Sequence, residues 1–194
     1  MSKHSWQFAT IVLAAGLGLT QSFAYADEPN PTIAITIDDP KGCFAASLPR
    51  AKSIASHIYE DAGVTLQWTM DDSTTMNRRL TVVIATSAMA PAGLGRDAMG
   101  VAPTPGDGSR GTTAYIFSDR VAAFAEAHRL AESDVLASAL AHEIGHLLLP
   151  PNAHTANGIM RASWRPAFFP PAAPGVAGFP PEQARLLRVR VGSR

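Results

Sequence analysis

Two of the six histidines in this 194-residue chain, His142 and His146, stand four positions apart in Ala141-His142-Glu143-Ile144-Gly145-His146-Leu147. On a helix, four residues turn through about one revolution and rise about 6 Å, so both imidazoles share a face and aim at one point. That pair can hold a metal. Glu143 leaves the helix roughly 100° round from His142, which puts its carboxylate beside an open metal position, within reach of a water proton, rather than on the metal. The chemistry this suits is hydrolysis assisted by zinc. An amphipathic helix with two surface histidines is the plain alternative. Apolar residues on both sides of the motif weigh against it, because such a helix would not bury two imidazoles and a carboxylate without a use for them.

After His146 the chain has no Asp, no Cys, one histidine (His154) and one acid (Glu182), so a third protein ligand is one of those two. His154 is close, and Pro150-Pro151 end the helix and turn the chain back towards it. From His142 to Met160 the sequence resembles the zinc-binding consensus of the metzincin metallopeptidases, H-E-x-x-H-x-x-G-x-x-H followed by a methionine-containing turn, here Gly158-Ile159-Met160. The resemblance implies a Zn2+ site with His142, His146 and His154 as metal ligands, Glu143 as general base, Met160 beneath the metal, and a peptide or protein as substrate. The chain departs from the consensus by two extra residues between the second and third histidines, and Leu149 occupies the place of the turning glycine. Asn152 is then the residue best able to adopt positive φ. No tyrosine follows Met160, so an oxyanion would rely on zinc and backbone donors. Two other readings stand beside this one: a gluzincin-like peptidase that takes Glu182 as ligand, and an exported zinc-binding or interaction protein without turnover. Glu143 contributes nothing to metal binding and so speaks against the second.

Elements that could position the motif follow from the patterning. Thr32 to Ile37 alternates β-branched residues and predicts a strand closed by Asp38-Asp39-Pro40. Leu48 to Ala62 has helical periodicity through Ala51, Ile54, Ala55, Ile58 and Tyr59, and Gly63 stops it. Val64 to Thr69 and Leu80 to Thr86 predict two more strands around a polar connection, and the helix between the first two strands implies a parallel crossover. Met99 to Ala102 predicts a short edge strand or a surface loop, and an edge beside a metal cleft can pair with an extended peptide. Thr112 to Phe117 predicts another strand. Ser118-Asp119 is expected to cap a helix over Arg120 to Leu130, and Ser133 to cap the site helix that runs to Leu149. Arg161 to Pro181 is Pro-rich and aperiodic, with Trp164, Phe168, Phe169 and Phe179 either walling a pocket or covering the site helix; Glu182 to Val191 predicts a last helix. The order resembles the N-terminal subdomain of metzincins. The expected fold class is α+β: a mixed twisted sheet, a backing helix, a site helix and a small irregular C-terminal subdomain ending in a helix, with residues 27–149 and 150–194 as the two parts of one domain.

Residues 1–26 have the pattern of an export signal: Lys3, an apolar run from Phe8 to Leu19, and Ala24-Tyr25-Ala26 as a small-x-small cleavage site. About 12 apolar residues are too few to cross a hydrocarbon core of roughly 30 Å, so no stable membrane anchor is expected. The expected product is secreted or periplasmic, and monomeric. Formal charge is zero with 16% charged residues, which gives no argument for nucleic acid. Six Arg against one Glu after His146 make the C-terminal part locally basic, the mark of a solvated face or of an acidic partner. The single cysteine, Cys43, excludes an intramolecular disulfide and is expected to pack as a small hydrophobe, with Asp27 to Pro31 too short a stretch before the first strand to hold a zinc-capping propeptide. Mass spectrometry of the exported protein should find Asp27 at its N-terminus. A species that keeps Phe8 to Leu19 would make the segment an anchor instead.

Overall fold

The computed structural model describes residues 29–70, 79–106, 111–169 and 178–193. The expected signal segment lies outside these, as does most of the polar connection expected between Thr69 and Leu80. Strands β1 (Thr32–Asp38), β2 (Thr65–Thr69), β3 (Arg79–Ala85), β4 (Gly100–Val101) and β5 (Thr113–Phe117) form one sheet in the order β2-β1-β3-β5-β4. β2, β1, β3 and β5 run parallel, and the short β4 at the edge runs antiparallel to β5. The β-branched run of β1 takes an inner place, with Ile33, Ala34 and Ile35 all fully buried, as parallel strands covered on both faces require.

Four helices accompany the sheet: α1 (Leu48–Asp61), α2 (Ser118–His128), α3 (Glu132–Leu148) and α4 (Pro181–Gly192). The fold is therefore mixed, with a five-stranded sheet and helices, in agreement with the α+β expectation. α1 joins the parallel pair β1 and β2, and buries Ala51, Ala55, Ile58 and Tyr59 along one stripe against the core and α3. Gly63, at φ +76°, reverses the chain after α1. A Cβ there would lie 2.8 Å from Cδ of Arg188, whose guanidinium donates to the Ala62 carbonyl at 2.8 Å. α4 thus caps α1. α3 is apolar nearly all round, and from Val135 to Leu149 only His146 is not fully buried, which makes it the central helix of the core. Among the described residues, no helix is long and apolar enough to cross a membrane.

Three expectations fail at element boundaries and in one loop. α2 begins at Ser118, and neither Ser118 nor Asp119 caps it: Ser118 Oγ donates to the Ala85 carbonyl at 3.1 Å, while the Asp119 carboxylate accepts from the amide (2.8 Å) and hydroxyl of Ser87. These side chains tie the helix start back to the end of β3. α2 ends at His128 because Arg129 is left-handed (φ 54°), and only Leu130 and Ala131 remain before α3 starts at Glu132. Ser133 lies inside the first turn and is no cap; Glu132 and Asp134 place negative charge at the helix N-terminus instead. Cys43 is exposed, not packed. Asp39 accepts from the amides of Cys43 (2.9 Å) and Phe44 (3.0 Å), and this turn sends the larger Phe44 into the core.

Tyr59 of α1 is fully buried, and its hydroxyl donates to the Ala141 carbonyl at 3.0 Å, one residue before His142. Burial raises its pKa well above 10, so it stays neutral and serves as a donor. Tyr59→Phe should lower stability by about 1 kcal/mol in urea unfolding, with secondary structure unchanged. An unshifted midpoint would show that this bond contributes nothing net.

Candidate metal centre

α3 brings His142 and His146 to one face, with rings nearly perpendicular at 4.7 Å between centroids. The helix stops at Leu149, which is extended (φ −83°, ψ 162°) and not left-handed, because Pro150 and Pro151 cannot continue the helical ladder. The turn back uses Asn152 at φ 61°, as the sequence led one to expect. The two extra residues are absorbed in this turn, and His154 returns to the helix face. Its Nε2 lies 3.1 Å from that of His146, which lies 3.0 Å from Nε2 of His142. All three ligand atoms fall within 4.8 Å of one another.

An N–H bridge can join only a pair of these imidazole nitrogens, whereas one cation can take a lone pair from all three. Two nitrogens at about 2.05 Å from a tetrahedral zinc would be separated by about 3.3 Å. The donor set and spacing therefore fit a three-histidine metal site. Burial lowers the pKa of both His142 and His146 to about 4, so both rings are neutral, the form that ligates metal, at neutral pH. His142 Nδ1–H donates to the Ile159 carbonyl at 2.8 Å, which fixes the tautomer and leaves Nε2 its lone pair for the centre.

The turn that presents Ile159 is itself braced. Gly158 has φ +77° and packs so closely on the Gly178 carbonyl that a Cβ would sit 2.4 Å from it. The Ile159 amide donates to that same carbonyl at 3.0 Å, and the Thr155 amide donates to the Met160 carbonyl at 2.9 Å. Met160 is fully buried beside Gly145, where a Cβ would lie 2.6 Å from its Sδ. Gln183 of α4 donates to the Ala153 carbonyl at 2.7 Å and so anchors the segment that carries His154. Glu182, the alternative ligand, points to solvent and pairs with Arg185 at 3.6 Å. It has no part in the cluster.

Glu143 is 6% exposed and lies beside the histidines without joining the ligand group. Burial pushes its pKa up to about 8. Gly100 of β4 presses on it: a Cβ there would meet Cγ of Glu143 at 2.7 Å and the Tyr115 carbonyl at 2.6 Å. A cleft of about 610 Å³ opens in front of these groups, walled by Met99 and Val101 of the edge strand region, Phe124 of α2 and Trp164. Trp164 stands edge-on to His142 at 5.4 Å and stacks on Phe168, so the aromatic segment walls the cleft and covers the site helix together. Arg120 fixes the rim before β4 by donating to the carbonyls of Gly95 (2.9 Å) and Ala98 (2.6 Å).

The four residues expected at the site thus come together, while Gly100, Gly145, Tyr59 and Gln183 were not foreseen as its supports. A glycine inside a strand marks close backbone approach, so Gly100 carried a signal; Gln183, on a helix face 29 residues after His154, carried none.

The raised pKa of Glu143 favours its neutral carboxyl in the folded chain. In the metal-free protein its stabilisation is fully present below the ordinary 4.5 and is lost as pH rises towards 8. The lowered values of His142 and His146 work oppositely, with stabilisation present above 6.5 and lost as pH falls towards 4. Between pH 6.5 and 8 only the carboxyl slope remains of these three. Glu143→Gln should remove that slope and raise the stability of chelator-treated protein by about 2–4 kcal/mol at pH 8. Denaturant unfolding across this range checks it, and an unchanged slope in the variant would assign it to other groups. Set beside known proteins, the chain matches no family model and no curated protein, so the geometry of these residues is the ground for any statement about its chemistry.

Proposed function

We propose that the chain is an exported zinc-dependent peptidase with a metzincin-like arrangement, in which His142, His146 and His154 hold the metal and Glu143 is the general base. One observation carries this reading. Glu143 is a buried carboxyl that neither ligates with the histidines nor hydrogen-bonds to any described residue, and it borders the cleft. Burying such a group destabilises a fold, so a purely structural metal site would have no use for it.

Bound there, zinc supplies a Lewis acid at the position the three imidazoles leave open, able to polarise a carbonyl and acidify water. Glu143 takes a proton from the water that attacks the carbonyl carbon, and passes it to the amine as the C–N bond breaks. Gly100, with no side chain, lets β4 pack directly against this carboxyl. The open edge of β4, antiparallel and two residues long, is a place for an extended peptide to pair by its main chain. Trp164, edge-on to His142 and stacked on Phe168, adds an aromatic wall to the cleft.

Glu143→Ala should abolish peptide hydrolysis while zinc stays bound, whereas His154→Ala should lose both zinc and activity, and Glu182→Ala should keep both. Elemental analysis beside a fluorogenic peptide assay reads these outcomes. Full turnover in the Glu143→Ala variant would remove the base from the mechanism, and loss of zinc from it would make the carboxylate a ligand.

A further inference from the structure

The cleft is lined by three arginines, Arg96, Arg120 and Arg161, against a single acid besides Glu143, Asp97. No carboxylate among the described residues lies within ion-pair distance of any of the three arginines, although Arg120 has a coulombic interaction with neighbouring Asp119. They are not equivalent. Arg96 is exposed at the outer rim. Arg120 is committed to the Gly95 and Ala98 carbonyls and lies over the Phe117 ring at 5.0 Å. Arg161 is half-buried, makes no hydrogen bond or ion pair with any described residue, and follows Met160 directly. Its backbone is fixed by the same turn that orients His142, because the carbonyl preceding its amide accepts from Thr155 at 2.9 Å.

A guanidinium offers five donors in a planar fork that matches a carboxylate, and it cannot shed its charge. Beside the apolar walls of Phe124 and Trp164 the field of that charge is screened less than in water. We propose that Arg161 is a specificity-determining residue that receives a carboxylate of the peptide substrate in this cleft. The inference rests on the peptidase reading. The carboxylate has two possible sources, an Asp or Glu side chain near the scissile bond or the C-terminal carboxylate of the peptide, and the chemistry of recognition is the same for both. A site built to pair a charge discriminates strongly against substrates that lack it, since the guanidinium is then left unmatched.

The test uses the full chain loaded with zinc, with Glu143→Ala as the non-hydrolysing background, and three N-acetylated peptides of equal length. One has a single central Glu and an amidated C-terminus; the second has Gln there and a free C-terminal carboxylate; the third has Gln and an amide. Either the first or the second should bind about ten- to a hundredfold more tightly than the third, and which one does identifies the source. Arg161→Ala should erase that preference with zinc content unchanged, and Arg161→Lys should restore part of it. Equal binding of all three peptides, binding of none, or a preference that survives Arg161→Ala overturns the proposal. Cleavage by the chain with Glu143 intact separates the two ideas: hydrolysis without preference removes the role of Arg161 alone, whereas selective binding without hydrolysis removes the peptidase reading alone.

Discussion

The fold depends on carrying two imidazoles and a carboxyl into its interior on one helix. Each would rather be hydrated, and α3 is too apolar to supply partners of its own. One hydrogen bond from His142 to the Ile159 carbonyl meets the first part of this difficulty, because it satisfies Nδ1, selects the tautomer and leaves the other nitrogen facing the centre. Several features after Leu149 help to put that carbonyl in place: the proline stop, left-handed Asn152, Gly158 against Gly178, and Met160 seated where Gly145 has no side chain.

What could be read in the sequence followed the strength of local signals. The alternating β1, the periodic α1 and the histidine spacing in α3 are dictated within a few residues, and all three took the form expected. Asn152 was also legible, since few residues tolerate positive φ and the prolines had already stopped the helix. Caps were misjudged for two reasons. Ser118 and Asp119 found partners at and just after the end of β3, and a hydroxyl or carboxylate satisfied at long range reads the same in sequence as one that caps, whereas Ser133 fell one position inside a helix that starts at Glu132. Cys43 failed by one position, because the Asp39 turn decides which of two neighbours faces inward and composition does not.

The site's supports were hidden for a different reason. Gly100 and Glu143 lie 43 positions apart and meet only because β4 lies antiparallel at the sheet edge above α3. Tyr59 reaches Ala141 across 82 positions. Such contacts come from topology, which no window of sequence contains.

The two braces from α4 set an order of assembly. Arg188 closes the end of α1 and Gln183 holds the carbonyl beside His154, so both the first helix and the third imidazole wait on the final helix. A chain emerging from its N-terminus makes the sheet and α3 first, with two imidazoles in place and no third. The three-histidine cluster that could hold a metal is complete only when the last turns of the polypeptide have docked, so whatever binds there meets a finished chain.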